Sequence, residues 1–232
     1  MKRCLVTQAV GEKWTQVLEL TKQRMLQYAE RHKLDFLIIQ EPIFPDIPQY
    51  DKLSIAKIMI ERGYDQATFI DADCLITTDC EDISTFSDTS FIAFNEGEYD
   101  FSKQENPFYD RKDVLKGLAE TLGGNVQPKF YINSGVFVTN SRHLGVFSLP
   151  PFGLFPNYFG EQTWLNLMLH LWNVDVKFIE PKYNLMYGVE KLIDINRYKD
   201  AKILHYAGKS NDMDNLLKLI KDDEVVLSLM GR

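Results

Sequence analysis

The chain has 232 residues, 45% hydrophobic and 12% aromatic, which is enough for one sizeable core but short for two independent ones. A single domain over residues 1–232 is expected. Its 33 acidic against 26 basic residues give a formal charge of -7, which leaves no electrostatic footprint for nucleic acid, whose binding leans on clustered Lys and Arg, and no nucleic-acid partner is expected. A nucleotide diphosphate is not excluded, because a divalent cation can neutralise it locally.

Two basic residues open Met1-Lys2-Arg3-Cys4-Leu5-Val6-Thr7, but the apolar run stops at Gln8 and no small-residue cleavage site follows, so it reads as a strand. No stretch approaches the roughly 18 apolar residues that span a bilayer. Cys4, Cys74 and Cys80 are an odd number without metal-finger spacing. A soluble, cytoplasmic protein is expected.

Strand one is expected at Cys4–Thr7. Trp14, Val17, Leu18, Thr21, Met25 and Tyr28 then recur at helical spacing to about Arg31. Phe36–Gln40 is strand two. After a loop punctuated by Pro42, Pro45 and Pro48, a helix runs from about Asp51 to Arg62 with Leu53, Ala56 and Ile60 on one face and Gly63 as its stop. Ala67–Ile70 is strand three and Ser90–Phe94 strand four. The polar stretch from Asn95 to Gln127 holds one helix near Arg111–Leu122, and the segment from Glu96 to Asn106 is long enough for a lid over a bound ligand. Tyr131–Thr139 is a strand, Glu161–Leu171 a helix, Val174–Ile179 and Lys202–Tyr206 strands, and Met213–Lys221 a closing helix. Alternation of strands and helices predicts an α/β fold with a mostly parallel central sheet flanked by helices. Ligands of such sheets bind beyond the carboxyl ends of the strands, where strand three delivers Asp71.

Ala67-Thr68-Phe69-Ile70-Asp71-Ala72-Asp73 places two carboxylates one residue apart as a buried strand emerges. In extended backbone, residues i and i+2 point to the same side, so both can reach one cation. Hard oxygen ligands suit Mg²⁺ or Mn²⁺. Read alone, the tripeptide also fits two solvated carboxylates in a loop. The return to apolar character at Cys74-Leu75-Ile76 would bury both flanks, and carboxylates held there want a cation or donors.

Five further segments follow one another in a recognisable order. Tyr50-Asp51-Lys52-Leu53 opens a helix leading to Gly63-Tyr64-Asp65 and the Asp71/Asp73 pair. Asn133-Ser134-Gly135-Val136-Phe137-Val138, Gly160-Glu161-Gln162-Thr163-Trp164-Leu165-Asn166 and Leu204-His205-Tyr206-Ala207-Gly208-Lys209 come after it. In this order the chain resembles the metal-dependent glycosyltransferases of GT-A fold, of the glycogenin and lipopolysaccharide-galactosyltransferase type.

The resemblance implies a Rossmann-like nucleotide-binding domain, a nucleotide-sugar donor (UDP above all), Mn²⁺ or Mg²⁺, and a glycan or other hydroxyl acceptor. Thr7, Gln8 and Ala9 would contact the base, or merely end a strand. Lys52 would meet donor phosphate or ribose, or stand solvated on its helix. Asp71 and Asp73 match the metal pair, with Ala72 between them on the donor side. Asn133, Ser134 and Gly135 offer an amide, a hydroxyl and a bare backbone to sugar hydroxyls, or a tight bend between strand segments.

His205 would be the third metal ligand, or a structural residue at a strand end. Gly208 and Lys209 would clamp the diphosphate. Here the pattern departs from the glycogenin type, in which two residues separate the glycine from the lysine and a proline follows. Glu161 and Gln162 match the acidic-Gln pair beneath the donor sugar, and Glu161 also suits a helix N-terminus. Glu161 would be the general base of an inverting reaction; in a retaining one both residues would stabilise an oxocarbenium-like centre. Aromatic residues from Phe152 to Phe159 suit stacking on an acceptor sugar or core packing.

Two alternatives remain open. A haloacid-dehalogenase-like phosphatase would use Asp71 as nucleophile and Asp73 beside it, but usually begins with that strand and carries Thr or Val where this chain has Leu75. A non-catalytic nucleotide-sugar-binding protein would not need Asp71, Asp73 and His205 together. A nucleotidyltransferase would show a Gly-rich loop after strand one, where only Gly11 is present.

Overall fold

The computed structural model describes residues 1–99, 111–151, 160–209 and 211–232. The lid segment beyond residue 99 and the aromatic segment 152–159 lie outside the described residues. Strand β1 (Arg3–Gln8) leads into helix α1 (Glu12–His32), and β2 (Asp35–Ile39) follows. A 3-10 helix over Pro48–Ser54 precedes α2 (Ile55–Arg62) and β3 (Gln66–Ile70). Next come β4 (Cys74–Ile76), β5 (Phe91–Asn95), α3 (Arg111–Thr121), β6 (Ile132–Asn140), α4 (Gly160–Leu171) and β7 (Val176–Phe178). The described chain closes with β8 (Leu185–Met186), α5 (Tyr187–Glu190), α6 (Arg197–Asp200), β9 (Ile203–His205) and α7 (Met213–Leu229).

The main sheet has the order β2-β1-β3-β6-β5-β7. β1 runs parallel to β2 and β3, and β5 parallel to β7, while β6 is antiparallel to both of its neighbours. The expected α/β architecture with a mostly parallel sheet is therefore the one observed. Period-two alternation divides the core between the two faces of the sheet. Leu5, Ile70, Ile92, Val136 and Val138 pack with α1 and α7 on one face. Cys4, Val6, Phe69, Phe91 and Phe137 pack with α2, α3 and α4 on the other. Phe137 stacks on Phe69 and Phe91 at 5.1 and 5.3 Å, which fixes the register of three adjacent strands.

A second sheet, β4-β9-β8, escapes the periodicity reading because its strands are only two or three residues long. It pairs Cys74 with His205 and Met186 with His205. Two further expectations are corrected. Ile60 is 66% exposed, and Ile55 and Met59 take the buried face. The preceding 3-10 helix turns about 120° per residue, which shifts the phase of the face that follows. Helix α7 continues past Lys221 to Leu229 through the acidic run Asp222-Asp223-Glu224, because Asp223 is buried against Arg197, Tyr198 and Tyr206. Gly63 stops α2 as expected, with a left-handed φ of 66°.

Candidate active site

All five residues of β3 are buried in the middle of the sheet, and the chain leaves it at Ile70. The Asp71-Ala72-Asp73 segment is not extended, as the same-side argument assumed, but a tight turn. The Cys74 amide donates to the Asp71 carbonyl at 3.1 Å. The turn is required because β3 and β4 belong to different sheets. Both acidic residues are anchored through their backbones: the Asp71 amide donates to the Gly135 carbonyl on β6 at 2.8 Å, and the Asp73 carbonyl accepts from the Tyr206 amide at 3.0 Å.

That second bond, with the β4–β9 pairing, brings His205 over the turn. Its Nε2 lies 3.5 Å from Asp73 Oδ1 and 4.0 Å from Asp71 Oδ2. Gly135 makes room for the ring. A Cβ built there would sit 2.2 Å from His205 Cε1, far inside van der Waals contact. Gly135 lies within β6 at ordinary φ, so a neighbouring ring, not a backbone turn, excludes a side chain. A bulge in the β5–β6 register falls at the same place.

Asp73 is 6% exposed, and burial raises its carboxyl above the usual range even with His205 beside it. The Asp73, Cys74 and His205 ligand atoms all lie within 4.8 Å of one another, a grouping that takes in Cys74 and leaves out Asp71. Burial pushes the Cys74 thiol well up, so it stays protonated, and a soft thiol ill suits a hard cation that binds phosphate. The two carboxylates and the imidazole make the better donor set.

Lys52 is buried, not solvated. Its Nζ reaches Asp71 at 3.1 Å, the Ser134 carbonyl at 3.1 Å, and Ser134 Oγ and Glu161 Oε1 at 3.3 Å each. Burial alone would lower its pKa, but the Asp71 and Glu161 carboxylates outweigh burial and raise it. Burial raises Glu161, with Lys52 opposing. Gln162 accepts from the Ser134 amide at 3.0 Å and donates to Glu96 at 3.2 Å.

These groups line one cleft of about 1050 Å³ at the carboxyl end of β3. Gln8, Lys52, Asp71, Ala72, Asp73, Asn133, Ser134, Gly135, Glu161, Gln162, His205, Gly208 and Lys209 all border it. Thr7 and Ala9 do not: both are buried in the interior beneath it, because the inward positions of β1 alternate with Gln8. Gly208 takes a φ of +76° in the turn closed by the Lys209 amide and the Tyr206 carbonyl. Lys209 then lies 3.9 Å over the Tyr187 ring, and Lys191 lies 4.5 Å over it.

No family model matches the chain, and no curated protein matches it. Solved structures do. The crystal structure of a glycosyltransferase involved in the glycosylation of the major capsid of PBCV-1 superposes with a TM-score of 0.62 at 14% identity, covering 94% of this chain and 99% of that one. The glycosyltransferase GlyE of Streptococcus pneumoniae TIGR4 gives 0.56 at 13% identity, over 98% of this chain and 62% of that one. The chain shares its fold with these two proteins. The chain spans less than two thirds of GlyE. No helix among the described residues is long and apolar enough to cross a membrane.

Several cleft residues were not anticipated. Glu96 is 4% exposed and accepts from Arg111 at 2.6 Å, from Asn133 and from Gln162. Tyr187 and Lys191 on the cleft wall, and Asn184 buried behind His205, come from a stretch between Ile179 and Lys202 in which the sequence shows no element.

Proposed function

We propose that this protein is a glycosyltransferase that moves a hexose from a nucleotide-sugar donor, most simply a UDP-sugar, to a glycan or other hydroxyl acceptor with the help of Mn²⁺ or Mg²⁺. The observation that carries this reading is the convergence of Asp71, Asp73 and His205 in the same cleft as Lys52, Ser134 and Glu161. Burial raises the Asp73 carboxyl and the neighbouring Asp71 adds to it, against His205 and Lys52, and a divalent cation there would favour the charged form. Asp71, Asp73 and His205 would hold the ion. When bound, it neutralises diphosphate and stabilises it as a leaving group.

The remaining residues act on the donor and acceptor. Lys209 and Lys191, joined by Tyr187, border the same cleft as the carboxylates and would attract the diphosphate as point charges. Lys52 stays charged and ties the Asp71 carboxylate to Glu161, so neither acid is free to swing. Ser134 and Glu161 would bind sugar hydroxyls, while Gln162 accepts from the Ser134 backbone amide. Glu161, with its carboxyl raised by burial, would stabilise positive charge on the reacting sugar or take the acceptor proton.

The test is release of nucleoside diphosphate from a panel of UDP-, GDP- and dTDP-sugars with Mn²⁺, Mg²⁺ or EDTA. Metal-dependent release from one donor, lost in Asp73→Ala, supports the reading. Release of inorganic phosphate from a monoester instead, or no turnover with any donor and metal, refutes it.

A further inference from the structure

Hydrogen-bond polarity can be followed through the buried side chains behind His205 from a donor whose identity is beyond choice. The Gly135 backbone N–H can only donate, and it donates at 2.9 Å to the Asn133 side chain, so that atom is the Asn133 oxygen. The same oxygen accepts from Asn184 at 3.0 Å, so Asn184 presents its NH₂ group to Asn133. The carbonyl of Asn184 then faces His205 Nδ1 at 2.8 Å. An amide oxygen only accepts, so Nδ1 carries the hydrogen.

The far end of the chain agrees. The Asn133 NH₂ group donates to Glu96 and Gln162 at 3.2 Å each, and Glu96 is an acceptor held by Arg111 at 2.6 Å. Asn133 thereby spends two donors and two lone pairs inside the protein, and its amide is committed to this network rather than to a sugar hydroxyl. Asn184 is fully buried and Asn133 and His205 nearly so, which leaves little water to offer an alternative.

We propose that Asn184 is a positioning residue for the cation site. Its side-chain carbonyl fixes His205 as the Nδ1–H tautomer, so that the Nε2 lone pair is the one directed at Asp71 and Asp73. The inference rests on the reading of Asp71, Asp73 and His205 as a cation site. Orienting partners of this kind set both the ring angle and the free nitrogen of a ligating histidine. Gly135 serves the same end twice, through its N–H to Asn133 and through the space it leaves for the ring.

Two readouts on the full chain separate the inference from the reading beneath it. ¹⁵N NMR of histidine-labelled protein, without metal and at a pH alkaline enough to neutralise the ring, reports the His205 tautomer. EPR titration with Mn²⁺ reports the site. Wild type is expected to show Nδ1–H. Asn184→Leu, of similar size but without an acceptor, loses that tautomer and weakens Mn²⁺ binding roughly 10- to 100-fold. Asn184→Asp, which keeps an acceptor, retains the tautomer.

Nε2–H in neutral wild type overturns the proposal with no variant needed. So does a folded Asn184→Leu that keeps wild-type tautomer and Mn²⁺ affinity. Wild type that shows Nδ1–H but binds no Mn²⁺ overturns the cation reading, and Asn184's role with it, while the hydrogen-bond assignment stands.

Discussion

Gly135→Ala is the substitution whose cost the structure sets most directly. The new methyl would lie 2.2 Å from His205 Cε1 and 2.8 Å from each ring nitrogen, against an optimal separation of about 3.5–4.0 Å. The β6 backbone cannot yield easily, since Gly135 is held to the Asp71 amide at 2.8 Å and to Asn133 at 2.9 Å. The ring must therefore move by more than about 1 Å and abandon Asn184. Overpacking of this kind costs about 1–3 kcal/mol. For a chain of this length that lowers the melting temperature by roughly 2–12 °C.

The accompanying loss is expected in metal binding: Mn²⁺ should no longer raise the melting temperature, and EPR should show weakened binding. Differential scanning fluorimetry with and without Mn²⁺ makes the first measurement. If glycine were there instead to admit the donor sugar, Gly135→Ala would keep its Mn²⁺ response and raise only the donor KM. That result would refute the argument from ring packing.

Lys52→Met should lower stability by about 3 kcal/mol, the lower end for a broken buried pair because Asp71 keeps some solvent exposure. Chemical denaturation at neutral pH measures it, and an unchanged midpoint contradicts it. Glu161→Gln tests linkage: the Glu161 pKa is raised in the fold, so its contribution to stability is full below its ordinary value of 4.5 and is lost as pH rises through the folded value. Relative to wild type the variant should gain melting temperature as the pH rises above the ordinary value of 4.5 while losing turnover; a pH-independent difference sinks that assignment. Asp223→Ala removes from α7, a helix that does not border the cleft, the acceptor of Arg197, Tyr198 and Tyr206. It should cost about 3–5 kcal/mol in urea unfolding and leave Mn²⁺ affinity intact.

The strands and helices of the main sheet were legible because each carries a buried stripe several residues long: β3 reads as an apolar run, and α1 shows Val17, Leu18, Thr21, Met25 and Tyr28 at helical spacing. The small sheet was not, since β4, β8 and β9 owe their existence to one another and not to local pattern. Of the cleft, the charged and polar residues next to strand ends could be named in advance, including Lys52 and Glu161. Their pairing could not, because those two residues are 109 apart in sequence. Asn184, Glu96 and Arg111 act through hydrogen bonds to other side chains, and a single Asn or Arg carries no trace of such partners in its neighbours. Asp71 and Asp73 were found for a geometric reason that the turn replaces; the anchoring by Gly135 and Tyr206 is what brings them beneath His205.

The central claim is that this cleft binds a nucleoside diphosphate through a cation held by Asp71, Asp73 and His205. Calorimetric titration of UDP into the wild-type protein, with Mn²⁺ and again with EDTA, tests it most directly when paired with Asp73→Ala. The account predicts binding that requires Mn²⁺ and disappears in the variant. Equal UDP affinity in EDTA, or Mn²⁺-dependent affinity that survives Asp73→Ala, would contradict it.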